Sequence, residues 1–202
     1  QLEASDEGVW MNDQAVDMVY NRNCDFFLES DAMAGLRKAY LAGKVCLTPN
    51  PHMYGLLADK RRMVLWTDPV KRAPYLTSDQ DAGILDALLP KSNTLAELDL
   101  QEVWAVRKQH VFKPVDSFGS RGVLLGGKIS RKRFDELPLA TTLVQELVPP
   151  SVTEVPKFEP MKTDLRLYAY RDQILGVTAR LYRGQVTNLR TPGGGFARVK
   201  VV

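Results

Sequence analysis

Residues 109–127 read Gln-His-Val-Phe-Lys-Pro-Val-Asp-Ser-Phe-Gly-Ser-Arg-Gly-Val-Leu-Leu-Gly-Gly, and this segment is the most informative part of the chain. Its apolar start predicts a strand that carries Lys113 at its end, where Pro114 stops further pairing. A short loop with Gly119 and Gly122 then leads into a second apolar strand. Glycine lets a backbone adopt positive φ and approach a ligand closely, and successive N–H groups in such a loop form an anion site. The pattern predicts either a plain hairpin turn or a flexible lid over a nucleotide polyphosphate, with Lys113 at its base.

The composition is that of a globular protein. The chain has 202 residues, of which 45% are hydrophobic and 25% charged, so it is long enough for one large domain or two small ones with a core. The net charge is only +3, and lysines and arginines are scattered among acids rather than gathered in a stripe, which argues against a nucleic-acid binder. No apolar run reaches the length of a membrane span and no secretory signal is visible, so we expect a cytoplasmic protein.

Two further expectations concern the cysteines and the chain ends. Cys24 and Cys46 lie in apolar segments without metal-ligand spacing, which predicts buried free thiols in a reducing compartment. The chain begins at Gln1 and ends on a strand-like Val-Lys-Val-Val, and we expect it to be a fragment of a longer protein.

Secondary-structure signals divide the chain into three regions. Strand, helix, strand and helix patterns over 15–20, 30–41, 45–47 and 55–66 predict a small parallel α/β layer in residues 1–70. Helical patterns over 79–89 and 94–102 predict a connector in 71–102. From residue 103 onward, β-branched and aromatic runs predict a mainly antiparallel sheet, with a hairpin turn at Arg171-Asp172. Within 103–202 we expect a lid region over about 103–150 and a C-terminal sheet over 151–202.

The apolar run Thr142-Leu-Val-Gln-Glu-Leu-Val148 has polar side chains, Gln145 and Glu146, at its exit. An adenine ring needs an apolar slot and one donor and one acceptor from an adjacent backbone, which a strand leaving a sheet can supply. An ordinary core strand that ends in an exposed glutamate explains the same residues.

Arginines lie at or near predicted strand ends in the last third of the chain. Alternation places Asp164 and Arg166 on one face of a strand, Arg180 ends the next strand, and Asn188-Leu-Arg190 leads to Gly193–Gly195. Guanidinium groups match carboxylate or phosphate geometry. The structural alternative is a cross-strand salt bridge and a slack turn.

The order of these features resembles the ATP-grasp fold of carboxylate–amine ligases, and most closely its glutathione synthetase-like and circularly permuted groups. The resemblance covers most of the chain, from Val16 to Val199. Its first half is carried by Val16–Arg22, by Leu41–Asn50 and by Leu57-Ala-Asp-Lys-Arg61. The fold class that it implies is α/β (α+β), with a small preceding parallel layer and a mainly antiparallel C-terminal sheet.

The resemblance also implies roles for particular residues. Lys60 and Lys113 would be the two ATP lysines. The other implied nucleotide ligands are the lid residues Ser117, Gly119, Ser120 and Gly122, the hinge residues Gln145, Glu146, Leu147 and Val148, and Asn188. The implied catalytic residues facing phosphate, metal or the acyl substrate are Arg166, Arg180 and Arg190. ATP and Mg²⁺ would be the cofactors, and a small carboxylate and an amine the substrates.

One departure from the family concerns the metal. ATP-grasp enzymes commonly hold magnesium with a Glu-x-Asn strand, and no Glu-x-Asn occurs in this chain. Asp116 and Asp164 are possible contributors, but neither can be placed as a ligand. In permuted members that strand precedes the region present here, and the alternative is that metal binding and catalysis have been lost.

Three functions remain open on the sequence. The first is an ATP-dependent ligase that forms an amide bond through an acyl phosphate on an amino acid or peptide. The second is a non-catalytic ATP-binding scaffold with the same fold. The third is a nucleic-acid binder that uses Lys128–Arg133, although this basic cluster is also typical of a solvated helix start.

Overall fold

The computed structural model describes residues 2–185 and 187–200. The chain divides into two compact units, one ending at Arg62 and the other beginning at Met63. Of the strand-like ending at 199–202, the last two residues lie outside the described part. The finer boundaries expected near residues 70 and 102 stay predictions.

The first unit combines an antiparallel meander with a small parallel layer. Its strands are β1 (Leu2–Ser5), β2 (Gly8–Met11), β3 (Gln14–Ala15), β4 (Met18–Tyr20) and β5 (Cys46–Thr48), and its helices are α1 (Ala34–Leu41) and α2 (Pro51–Ala58). Strands β1, β2 and β3 form one sheet, and β4 pairs in parallel with β5. Its core consists of Val9, Leu28, Leu36, Ala39, Val45 and Leu47.

The helix expected over 55–66 is broken in two. Helix α2 ends at Ala58, and α3 (Arg61–Thr67) starts after an interruption. Asp59 has extended backbone dihedral angles, and its carboxylate accepts from the Arg61 N–H at 2.8 Å. An aspartate that satisfies a helix N-terminus in this way favours a new start over continuation, so the single-helix expectation is wrong at this point.

The second unit continues with short helices and two antiparallel sheets. Its helices after α3 are α4 (Pro69–Arg72), α5 (Asp79–Leu88), α6 (Leu100–Ala105) and α7 (Arg131–Asp135). Its strands are β6 (Ser92–Thr94), β7 (His110–Pro114), β8 (Leu124–Leu125), β9 (Thr142–Glu146), β10 (Ser151–Thr153), β11 (Met161–Tyr170), β12 (Gln173–Tyr182) and β13 (Gly195–Arg198). Within the expected helix over 94–102, Asp99 accepts from the N–H groups of Gln101 and Glu102 and starts α6, which again divides the segment.

The first sheet of this unit has the order β6-β9-β7-β8, with all pairs antiparallel. One face of it packs into the main core, where the rings of Phe112 and Phe134 meet edge to face with centroids 5.6 Å apart. The core also contains Leu95, Val103, Ile129, Leu137 and Val144. The other face carries Lys113, because side chains alternate along β7.

The second sheet has the order β10-β11-β12-β13. The long hairpin of β11 and β12 turns at Arg171-Asp172, as expected, with Arg171 at a φ of 54°. Alternation and register place Leu165, Leu167 and Ile174 on one face, where each is more than half exposed.

The predicted fold class is confirmed: helices and sheets are mixed, a small parallel pair precedes the sheets of the second unit, and the C-terminal sheet is antiparallel. The antiparallel meander of β1, β2 and β3 ahead of the parallel pair was not predicted. The expectation of buried thiols is wrong, since Cys24 and Cys46 are both free and exposed. Cys46 alternates along the chain with the buried Val45 and Leu47, so its side chain is on the face of β5 away from their core. Over the described residues, no helix combines the length and the apolar character that a membrane crossing requires.

Candidate functional site

Lys113 is held in place by the strand beside it. Its Nζ donates to Gln145 Oε1 at 2.5 Å. In the antiparallel register Lys113 faces Leu143, so Gln145, two residues further along β9, is a diagonal neighbour on the same face of the sheet. The lysine that the sequence places at the base of the lid therefore has a fixed position on a strand.

Gln145 extends this contact into a short polar chain. Its side chain is buried, and its Nε2 donates to Ser92 Oγ at 2.8 Å. Ser92 Oγ in turn donates to Pro90 O at 2.9 Å. Because both ends of the amide have partners, this buried polar group stabilises the orientation of Lys113 instead of being left unsatisfied.

The loop after Lys113 is an ordered turn. Gly119 and Ser120 both have positive φ, at 58° and 63°, and Arg121 N donates to Phe118 O at 3.1 Å. These features define a type I′ turn over residues 118–121. The guanidinium of Arg121 lies 4.7 Å from the centroid of the Phe118 ring, so the first and last side chains of the turn contact each other.

Gly122 packs against the end of β7. Its φ is 71°, and a Cβ at this position would lie 2.7 Å from Pro114 Cγ. A larger residue would therefore meet both backbone strain and a steric clash, so glycine is required if the loop is to return along the strand.

A cavity of about 190 Å³ lies beside this turn. Its lining brings together Lys113, Gly122 and Arg133 with Thr141 and Thr142. Nη1 of Arg133 also lies 3.6 Å from Oε2 of Glu136. The rest of its lining is apolar, and the Lys113 ammonium lies on the opposite face of the sheet at Gln145, so Arg133 is the cation on the side of this cavity.

The exit of β9 forms the second part of the predicted site. The N–H of Glu146 donates to Lys91 O at 2.9 Å, and the N–H of Leu147 donates to Gln109 O at 2.8 Å. An adjoining cavity of about 530 Å³ is lined by Lys91, Lys108, Gln109, His110, Glu146 and Leu147. Within the described ranges Val148 is the first hinge residue whose N–H lacks a backbone partner, and its side chain is exposed.

The arginines of the C-terminal sheet form a separate group. Arg180 Nε donates to Asp164 Oδ1 at 2.5 Å, and Thr187 Oγ1 donates to Asp164 Oδ2 at 3.1 Å. Asp164 and Arg180 face each other in the strand register, so this is the cross-strand salt bridge foreseen as an alternative, with Arg180 in place of Arg166. The carboxylate of Asp164 thus has partners on both oxygens.

Arg166 lies on the same face of the sheet but has different partners. Its guanidinium is 5.7 Å from the centroid of the Phe196 ring, and a hydrogen bond from it lowers the pKa of Tyr168. Asn188 Oδ1 accepts from the N–H of Arg190 at 3.1 Å, an arrangement typical of an Asx turn. The structure therefore brings Arg166 and Arg180 to one face, while Asn188 and Arg190 shape the following loop.

Two further residues that the sequence suggested as ligands are Lys60, for ATP, and Asp116, for a metal ion. Lys60 belongs to the first unit, at the break between α2 and α3, and Asp116 is exposed in the loop after β7. Over the described residues, no three His, Cys, Asp or Glu side chains gather as they would around a metal ion. Since Asp164 is also engaged by Arg180 and Thr187, these residues do not fit a magnesium site.

Three residues that the structure adds were not predicted as parts of this site. Ser92 lies on a three-residue strand and Thr187 in a loop, and neither has a local pattern that marks it. Arg133 was noted only as part of the basic cluster 128–133, at the start of α7. Only the pairing of β6 with β9, which lie about fifty residues apart, brings Ser92 to Gln145.

Comparison with known proteins gives structural neighbours only. No family model matches the chain, and no curated protein matches it. One similar solved structure is the ATP-grasp ligase PsnB in complex with a minimal precursor, at 15% identity and a TM-score of 0.49 over 100% of this chain and 64% of that one. Another is PsnB with a phosphomimetic variant of the precursor, Mg and ADP, at 16% identity and a TM-score of 0.47 over 89% of this chain and 58% of that one.

Both neighbours are ATP-grasp ligases, the family that the order of motifs in this chain resembles. The chain spans less than two thirds of the length of these structures. The identities are low and the TM-scores lie below 0.5, so these similarities do not assign a function to this chain.

Proposed function

We propose that this chain belongs to an ATP-dependent carboxylate–amine ligase and forms its nucleotide site in the second unit. The observation that carries the proposal is the position of Lys113 on β7, held by Gln145 on β9 next to a glycine turn. A strand lysine, the glycine turn beside it and an exit from the same sheet supply the contacts that a purine nucleotide needs.

The residues have distinct roles in this proposal. Lys113 neutralises phosphate oxygens, and the turn around Gly119 and Gly122 covers the phosphates. The backbone at Glu146 and Val148 offers an acceptor and a donor to the base. Phosphoryl transfer depends on positioning and charge neutralisation more than on covalent chemistry by the protein, which agrees with a site built from cations and backbone groups.

The proposed reaction has two steps. The substrate carboxylate attacks the γ-phosphorus of ATP, forming an acyl phosphate and releasing ADP. An amine then attacks the acyl carbon, and phosphate leaves with the bond electrons as the amide forms. Arg166 and Arg180 on the face of the C-terminal sheet are the proposed contacts for the acyl substrate, and the lid turn excludes water that would hydrolyse the acyl phosphate.

The test of this proposal is a pair of lysine variants studied by calorimetry with ATP in magnesium buffer. We expect Lys113→Met to weaken ATP binding by about tenfold or more, because one charge-assisted hydrogen bond contributes about 1.5–3 kcal/mol. Lys128→Met, which removes an exposed lysine of the basic cluster, is the matched control and is expected to bind normally. Unchanged ATP affinity in Lys113→Met would refute the proposed site.

A non-catalytic ATP-binding scaffold is the second candidate, favoured by the lack of a carboxylate cluster over the described residues. ADP release, assayed over a panel of amino acids and amines, separates the two functions. A ligase forms ADP over repeated turnovers with a matching pair, whereas a scaffold binds ATP and releases no ADP.

The nucleic-acid hypothesis gains no support from the basic cluster. Ser130 caps α7, and Arg131 contacts Asp135 at 2.9 Å and lies 5.2 Å from the Trp104 ring centroid. These contacts are those of a capped helix start, in which the arginine is engaged within the protein.

A further inference from the structure

A second pocket, of about 370 Å³, lies entirely within the first unit, away from the residues assigned above. It opens where the parallel strand β4 ends, and Asn21, the residue after that strand, continues the pairing by donating its N–H to Thr48 O at 2.7 Å. In parallel α/β layers, ligands bind beyond the carboxyl ends of the strands. The position is therefore one at which a binding site is expected from topology.

Asn21 has a buried donor without a partner. The residue is 6% exposed and lines the pocket. Its Oδ1 accepts from Asn23 N at 2.9 Å, but over the described residues its Nδ2 has no hydrogen-bond partner. A buried amide of this kind is normally satisfied, so an acceptor supplied by a ligand would complete it.

The rest of the lining provides one positive charge and an apolar wall. Arg22 is exposed at the pocket, where its Nη1 donates to the Tyr20 hydroxyl at 3.3 Å and its guanidinium lies 5.6 Å from the Tyr20 ring centroid. Leu36 and Met33 contribute apolar surface, and none of the described lining residues carries a carboxylate. The start of α1 also reaches the pocket, and Met33 at its N-cap provides no side-chain hydrogen bond.

We propose that this pocket binds a small monocarboxylic acid with an apolar body. The carboxylate accepts from Asn21 Nδ2 and pairs with Arg22, and the hydrocarbon part packs on Leu36 and Met33. A single guanidinium balances one negative charge better than the two of a phosphate. The proposal does not rest on the ligase function, because every residue in it lies in the first unit.

The test is a titration of the full chain followed by amide NMR, with isovalerate, isovaleramide and inorganic phosphate as probes. We expect isovalerate to shift the Asn21 side-chain amide signals in a saturable way. The uncharged isovaleramide and phosphate are each expected to bind about tenfold more weakly or not at all. Equal binding of the acid and its amide would overturn the proposal, and so would phosphate that binds as tightly as isovalerate.

Two variants and one control locate the binding. Asn21→Asp keeps an oxygen to accept from Asn23 N but replaces the donor with a repelling charge, so binding of isovalerate should be lost. Arg22→Gln, at an exposed position, should weaken isovalerate binding about tenfold. Because this substitution is exposed, it still tests the proposal if Asn21→Asp does not fold. Arg37→Gln removes an exposed arginine of α1 and should bind as the unaltered chain does. Normal binding in folded Asn21→Asp or in Arg22→Gln would refute the assignment.

Discussion

At the scale of single residues, Gln145 connects the proposed nucleotide lysine to the protein interior. Its amide accepts from Lys113 and donates to Ser92, and the side chain is buried. A residue of this kind affects stability and site geometry together, because removing it leaves polar groups on both sides without partners.

Replacing Gln145 by leucine tests this role. We expect Gln145→Leu to lower the free energy of unfolding by about 1–3 kcal/mol, the cost of leaving buried hydrogen-bonding groups unsatisfied. Urea unfolding followed by circular dichroism measures the change. Gln173→Leu, at an exposed position next to the β11–β12 turn, is the control and should stay within about 0.5 kcal/mol of the original chain. Equal stability of the two variants would show that the polar chain contributes nothing.

The ion pair between Glu97 and Lys71 makes the stability of the folded protein depend on pH. The Lys71 ammonium lies 2.6 Å from its carboxylate and, with Thr94, lowers the pKa of Glu97 below its ordinary value of 4.5. A lowered folded-state pKa means that the folded protein favours the charged form. This contribution is complete above pH 4.5 and is lost as the pH falls from there through the folded-state pKa.

The measurement is a series of thermal unfolding curves between neutral and acidic pH. Glu97→Gln should reduce the loss of stability below pH 4.5, because the amide has no proton to take up. Lys71→Met, which removes the ammonium that lowers the pKa of Glu97, should reduce the same acid slope. If Glu97→Gln follows the same slope as the original chain, the pair does not contribute.

At the scale of elements, the turn after β7 depends on Gly122. We expect Gly122→Ala to destabilise the protein by about 1–3 kcal/mol, because a positive φ and a clash with Pro114 act together. Gly127→Ala is the matched control, since a Cβ there meets nothing within 4 Å. Chemical denaturation distinguishes the two, and a Gly122→Ala protein as stable as Gly127→Ala would contradict the turn geometry.

Sequence pattern predicted the longer strands well. Alternation and β-branched residues located β7, β9, β11 and β12, and Arg171-Asp172 marked their hairpin correctly. The prediction from sequence pattern failed at Asp59 and Asp99, where an aspartate side chain caps a new helix inside an apolar pattern that otherwise continues. Helical periodicity records which side chains are buried, whereas these breaks depend on one local hydrogen bond.

In the candidate site too, local features could be predicted from the sequence, whereas contacts between distant residues could not. Lys113 and the glycine loop were identified because their chemistry is adjacent in sequence. The structural alternative considered for Asp164 was a salt bridge with Arg166, but the hairpin register places Arg180 opposite Asp164. Contacts of this kind depend on which strands pair, and one sequence does not define that pairing.

At the scale of the whole molecule, each unit has its own core and its own pocket. The two proposals can therefore be tested independently on the same preparation. A chain that binds isovalerate but not ATP would refute only the nucleotide site, and the reverse result would refute only the carboxylate pocket.

The antiparallel register of β7 and β9 has a consequence for ligand length. Lys113 is opposite Leu143, and the exit of β9 at Glu146 is opposite His110. Positions 143 and 146 are three residues apart along β9, which corresponds to about 10 Å in an extended strand. A hydrogen-bonded ladder, and not a loop, fixes this separation between the base contact and the cation. We expect affinity to rise from adenosine through AMP to ATP, and to become nearly equal for the three in Lys113→Met. Calorimetry with the three compounds measures this, and equal affinities in the original chain would show that nucleotide length is not sensed by the strand pair.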